Sequence, residues 1–159
     1  MDRFRPGFTL FEILVVVILL GILAAIVIPQ YWGVTTEAST TNLRENLSKI
    51  RAHIQVYRNQ HARYPDGDRF AAQMTQATHF NGEVSETRDP EHPYGPYLEQ
   101  MPANPVSSQR TIRVASGVAV SFSPPAADGG WWYNEVTGEF RADLTDRHVD
   151  ADGTPFSQY

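Results

Sequence analysis

Gly7 to Pro29 read GFTLFEILVVVILLGILAAIVIP, and this stretch decides the fold. Of the 21 positions from Phe8 to Ile28, 18 are apolar and one, Glu12, is charged. As a helix the run would be ~32 Å long at ~1.5 Å per residue, enough to cross a hydrocarbon core of ~30 Å. The residues before it, MDRFRPG, set Arg3 and Arg5 against Asp2. That excess of positive charge predicts a cytoplasmic amino terminus and an exported remainder. A secretory signal peptide would have a shorter apolar core, about 7–15 residues, ending at a small-x-small cleavage site. Here the run passes straight into Pro29-Gln30-Tyr31-Trp32. A plain single-pass anchor explains the length and the arginines but not Glu12. A carboxylate there costs roughly 2–3 kcal/mol or more unless it snorkels or finds a partner.

The composition of the whole chain narrows the function classes. It has 159 residues, 42% of them apolar, with 13 Lys+Arg against 18 Asp+Glu and no cysteine. A net charge of −5 leaves no electrostatic footprint for direct nucleic-acid binding. Without cysteine there is no disulfide framework, no Cys-ligated zinc and no thiol nucleophile. The histidines, His53, His61, His79, His92 and His148, show no compact metal-ligand spacing and are expected on the surface or in packing roles. No nucleophile elbow, phosphate loop or dinucleotide fingerprint occurs, so no catalytic residue is assigned and the chain is not expected to be an enzyme.

Beyond Pro29 the pattern turns amphipathic. Leu43, Leu47, Ile50, Ile54 and Tyr57 form one helical stripe, with Arg44, Glu45, Lys49, Arg51, Arg58 and Asn59 on the other faces. The stripe predicts a helix over about 40–60 lying against a head. Residues 29–63 read as an amphipathic continuation of the apolar helix over 8–28. Together they predict one long helix, bent at Pro29, which lacks a backbone donor and crowds the preceding turn. Tyr64-Pro65-Asp66-Gly67 stops it. Residues 69–78 suit a short helix, and the Pro-rich stretch 81–109 a long ordered loop. Short β-rich runs at 110–116, 118–123, 131–135 and 139–144 come after it, with a hairpin at Thr137-Gly138. The expected fold class is α+β: the long helix, membrane-spanning in its first half, packed against a small antiparallel sheet. The head covers 64–144, and 145–159 is a polar, acidic tail. Alternation along the strand would send one of Trp131 and Trp132 into the core and the other outside.

Gly7-Phe8-Thr9-Leu10-Phe11-Glu12 before an unbroken apolar helix resembles the amino-terminal signal of type IV pilins and type II secretion pseudopilins. The resemblance is closest to the major pseudopilin. It implies a leader of residues 1–7, cleavage between Gly7 and Phe8 by a prepilin peptidase, and methylation of the new terminus at Phe8. It implies assembly through Phe8 and Glu12, and a helix kink at Pro29. Cleavage would place an α-amino group one turn from Glu12, where it can pair with a Glu12 carboxylate in the same or a neighbouring subunit. The implied function is a structural subunit of a type II secretion pseudopilus, a periplasmic filament for protein secretion. Its implied partners are further copies of itself, the peptidase, an assembly ATPase and platform, minor pseudopilins and the inner membrane. The alternatives are a type IV pilus subunit for adhesion, motility or DNA uptake, and a membrane-anchored binding module. Tyr57 through Tyr64-Pro65, and Gly95-Pro96-Tyr97-Leu98 with Met101-Pro102-Ala103-Asn104-Pro105, are similar to the same family, and the lack of cysteine favours the secretion branch over disulfide-closed pilins. No cofactor is required. The resemblance does implicate calcium in a carboxy-terminal loop, so the acidic residues Asp143, Asp146, Asp150 and Asp152 are weighed for it; their spacing departs from the family pattern, no ligand residue is carried over, and a solvated acidic tail is the alternative.

Overall fold

The computed structural model describes residues 9–159, and within the first helix the side chains of residues 26–36 lie outside the description. The fold is α+β. Helix α1 (Leu10–His61) is followed by a 3-10 turn (Gly67–Arg69) and α2 (Phe70–Thr75). Strands β1 (Ala77–Thr78), β2 (Val84–Ser85), β3 (Ile112–Ala115), β4 (Trp131–Asn134) and β5 (Phe140–Ala142) come next, and a 3-10 turn (Phe156–Gln158) closes the chain. Two compact units result, one ending at Glu37 and the other spanning Ala38–Tyr159.

In the first unit the large apolar side chains from Leu10 to Leu23 stand 38–86% exposed. Among the described residues no helix is long and apolar enough to cross a membrane. The described side chains of the apolar run end at Ala25, and a helix from Leu10 to that point is only ~24 Å long, short of the ~30 Å of a hydrocarbon core. The span expected over 8–28 thus lies partly outside the described residues and draws no support from the structure. Gly7 and Phe8 lie outside them altogether. The α1 backbone is helical through Pro29, and the kink expected at its ring falls among the side chains that are not described.

The second unit is built on the expected stripe. Leu43, Leu47, Ile50, Ile54 and Tyr57 are each at most 1% exposed, and His61 extends the line. They pack with Phe70, Met74, Trp131, Tyr133, Phe140, Leu144 and Phe156 in a single core. Each such aliphatic side chain contributes roughly 1.5–3 kcal/mol by leaving water. The helix ends at His61, with Ala62 in the left-handed region at φ 57° just before Tyr64-Pro65.

The sheet departs from expectation. Strand β4 pairs antiparallel with β5 across Thr137-Gly138, but β3 runs parallel to β4, so the three-stranded sheet is mixed rather than antiparallel. A parallel pair needs a long crossover, and residues 116–130 supply it. The expected strand at 118–123 is therefore irregular: the Asn134 side-chain amide donates to the Gly117 and Val120 carbonyls and pins the crossover to the end of β4. The crossover also lays Phe122 edge-on against Trp132, so both tryptophans are buried, Trp131 in the core and Trp132 under Phe122. The short helix expected over 69–78 stops at Thr75, and β1, at its expected end, forms a small antiparallel pair with β2 inside the stretch read as loop. At the β4–β5 turn, Gly138 has φ 74°, and a Cβ there would sit 2.2 Å from the Tyr64 ring, so only glycine fits.

Candidate functional site

Glu12 opens α1. The Thr9 backbone N–H and hydroxyl both donate to Glu12 Oε2 at 2.9 Å, and the Glu12 N–H donates back to Thr9 Oγ1 at 3.2 Å. This is a capping box: each residue satisfies a backbone donor of the first turn that has no partner inside the helix. The carboxylate also faces the positive end of the helix dipole. The cost of its charge in an apolar run is therefore met in part by its own chain. The sequence carries this signal in its T-x-x-E pattern, Thr9 to Glu12, which a reading of Glu12 as an intramembrane charge alone misses. Its expected partner, the terminus created at Phe8, lies outside the described residues, as does the bond after Gly7.

The acidic tail is folded rather than loose. Phe156 is 2% exposed in the core, and Val149 bridges to Pro155. Asp150 organises the turn between them. Its Oδ1 accepts from the Asp152 and Thr154 N–H groups at 2.9 Å. Its Oδ2 accepts from Arg44 Nη2 at 3.1 Å and from the Tyr159 hydroxyl. The bonds from Tyr159 and Thr154 hold its carboxyl below the usual carboxylate range. Asp143 takes the Arg113 guanidinium on both oxygens, at 3.0 and 3.1 Å from Nε. Asp146 accepts from the Ser157 hydroxyl at 2.5 Å. Asp128, unremarked in the sequence, accepts from Thr145 and His148; burial alone would raise its pKa, but these bonds bring it down to about 2.

Calcium requires six to eight oxygens converging on one point. Here Asp143, Asp146 and Asp150 each turn to a different protein donor and Asp152 faces solvent. Among the described residues no three His, Cys, Asp or Glu side chains are grouped to hold a metal. The donor set does not fit the calcium loop that the sequence resemblance implied.

The histidines take packing and hydrogen-bonding positions. His61 stacks on Tyr57 with ring centroids 3.9 Å apart, contacts the Tyr57 carbonyl and the Thr78 hydroxyl at 3.0 Å each, and has its pKa lowered, chiefly by burial. His148 meets Asp128 at 2.8 Å and His92 meets Asp89 at 3.0 Å.

Known proteins supply an independent view. Residues 3–28 match the Prokaryotic N-terminal methylation motif family. The chain is 30% identical over 108 residues to the type II secretion system core protein G of Klebsiella pneumoniae, covering 68% of this chain and 73% of that one. It is 41% identical over 63 residues to the protein of the same name from Pseudomonas aeruginosa, covering 40% and 44% of the two chains. To the type IV major fimbrial protein FimA of Dichelobacter nodosus it is 36% identical over 56 residues, covering 35% of this chain and 36% of that one. No solved structure matches.

Proposed function

This chain belongs to the type II secretion core protein G family, the major pseudopilins, and on that premise we propose that it is the structural subunit of a periplasmic secretion filament. The observation that carries the reading is the pairing of an apolar helical run exposed on all sides with a carboxylate at its first turn. Such a helix is stable in a bilayer before assembly and against copies of itself afterwards. A heterologous contact that does not close into a ring then propagates a filament. In this reading residues 1–7 are a leader removed by the prepilin peptidase after Gly7. Phe8 becomes the methylated terminus, and residues 8–28 cross the inner membrane once, with the head periplasmic. On assembly Glu12 exchanges its Thr9 donors for the α-amino group of a neighbouring Phe8. Extraction from the membrane draws on a separate ATPase and platform, and minor pseudopilins act with the filament. The role is structural and uses no cofactor. The match to FimA supports a second reading, a type IV pilus subunit, built from the same amino-terminal machinery.

Mass spectrometry of the purified chain tests the first step. It should begin at Phe8 and carry one added methyl group; a chain retaining Met1 and unmethylated sinks the processing reading. Glu12→Ala should insert and be cleaved but form few filaments. Filaments at the wild-type level would remove the role given to the carboxylate.

A further inference from the structure

Arg44 lies near the start of the packed stretch of α1, beside Leu43, and its guanidinium reaches across 106 positions of sequence to Asp150. The Asp150 side chain is 5% exposed while that of Arg44 is 57% exposed, so the cation caps a carboxylate that is otherwise enclosed. The same guanidinium donates to the Tyr159 hydroxyl and lies over its ring, 4.7 Å from the centroid. One turn pair further along the helix, Arg51 donates to the Phe140 carbonyl at 2.9 Å and to the Tyr159 backbone oxygen. Two arginines seven residues apart on one helix flank therefore hold the closing segment at Asp150 and at Tyr159.

We propose that a protein cation, the Arg44 guanidinium seated on Asp150 and Tyr159, closes the carboxy-terminal segment onto α1 in this chain, in place of the calcium ion that its family resemblance implies. Asp150 is saturated by this arrangement. Two backbone N–H groups take Oδ1, and Arg44 with the Tyr159 hydroxyl takes Oδ2, which leaves no lone pair directed at a free cavity. The other acids that could complete a coordination shell are drawn elsewhere, Asp143 to Arg113 and Asp146 to Ser157. A metal entering the loop would have to displace a charge-assisted contact and a phenol while gaining only scattered oxygens. The consequence is a segment whose attachment responds to salt and is indifferent to calcium, because a half-exposed ion pair is screened by mobile ions.

The test uses the full chain in detergent. Wild type should melt at the same temperature, within about 1 °C, in millimolar calcium, millimolar magnesium or EDTA. A rise of several degrees with calcium alone would overturn the proposal, since a ligand held only by the folded state raises the midpoint in proportion to its occupancy. Arg44→Met keeps a long apolar side chain at the position and removes the charge. Proteolytic release of the segment 145–159 should speed up by about tenfold for it, with the tryptophan fluorescence of the core unchanged. Asp150→Asn should do the same, and the double variant should be no faster than either single one. Release of Arg44→Met at the wild-type rate, or simple addition of the two effects, would show that the pair does not close the segment. Arg44→Lys should recover part of the protection; no recovery would assign the effect to packing and sink the cation.

Discussion

Helix α1 contains two stretches that obey different rules. From Leu10 to Leu23 the apolar side chains go all round the helix and 38–86% of each is exposed. From Leu43 to Tyr57 the large apolar side chains other than Val56 keep to one stripe, Leu43, Leu47, Ile50, Ile54 and Tyr57, and at most 1% of each is exposed. Both stretches are helical, yet only the second has its stability fixed by the chain itself. An amphipathic helix draws its stability from the partner its stripe packs against, whereas an all-apolar one requires an apolar surrounding from outside its own chain. The difference separates folding from assembly along one element. Changes in the second stretch act on the head, and changes in the first act on the medium the helix enters.

The sharpest way to break that separation is to shorten one buried and one exposed residue. Ile54→Ala removes a side chain that is 0% exposed and should cost the head about 2–5 kcal/mol, by lost transfer energy and the cavity left behind. Leu19→Ala, at a position 55% exposed, should leave head stability within about 0.5 kcal/mol and reduce filament yield instead. Urea unfolding followed by the fluorescence of Trp131 and Trp132 reads the first effect and sedimentation of filaments the second. If Leu19→Ala destabilised the head as much as Ile54→Ala, the two stretches would not be independent.

A smaller effect concerns the end of the buried stripe. Burial lowers the pKa of His61, so the folded head holds the ring neutral under conditions where the unfolded chain already binds a proton. The unfolded state then carries more protons as pH falls below about 6.5, and stability drops, by no more than ~1.4 kcal/mol per pH unit for one site. His53, lowered by burial and by Lys49, adds to the same window. Asp128 and Asp150, whose pKa values are lowered, lose their contributions only further down, as pH falls below about 3.8. Urea midpoints between pH 7.5 and 5 should therefore fall for wild type and flatten in His61→Gln, with His53 contributing to the slope that remains. An unchanged slope in that variant would mean that His61 is not the group responsible.

How much of the molecule is legible in its sequence depends on the range of each signal. The stripe from Leu43 to Tyr57 is periodic and local, and it is legible residue by residue. The Thr137-Gly138 hairpin is legible from turn chemistry. The parallel pairing of β3 with β4 is not, because register across residues 116–130 is set by the Asn134 amide gripping the Gly117 and Val120 carbonyls, and no local pattern encodes that. The Thr9–Glu12 box is present as a pattern but is overshadowed by the larger anomaly of a charge in an apolar run. The packing of the acidic tail is out of reach: Asp150 finds Arg44 and Tyr159 only after the core has brought them together, and four aspartates spread over adjoining loops read equally well as a metal site or a solvated tail.

The smallest prediction bears on where the buried stretch stops. Ala62 comes directly after the last helical residue with φ 57°, a left-handed conformation that costs a residue with a Cβ about 1 kcal/mol. The side chain is exposed, so removing its methyl group sacrifices almost no packing. Ala62→Gly relieves the strain and offsets part of that gain by loosening the unfolded chain, for a net stabilisation of no more than about 0.5 kcal/mol. The conformation is imposed by the contacts on either side of it. His61 is anchored to Thr78, and Pro65 must turn the chain back toward Tyr133, whose hydroxyl donates to the Pro65 carbonyl at 2.8 Å. The head, then, sets the end of the helix, and the helix sequence bears the strain. A rise in the urea midpoint for Ala62→Gly, with no change in filament yield, would place this boundary wholly on the folding side of the division within α1. A loss of stability would show that the Ala62 methyl group contributes packing that outweighs the strain.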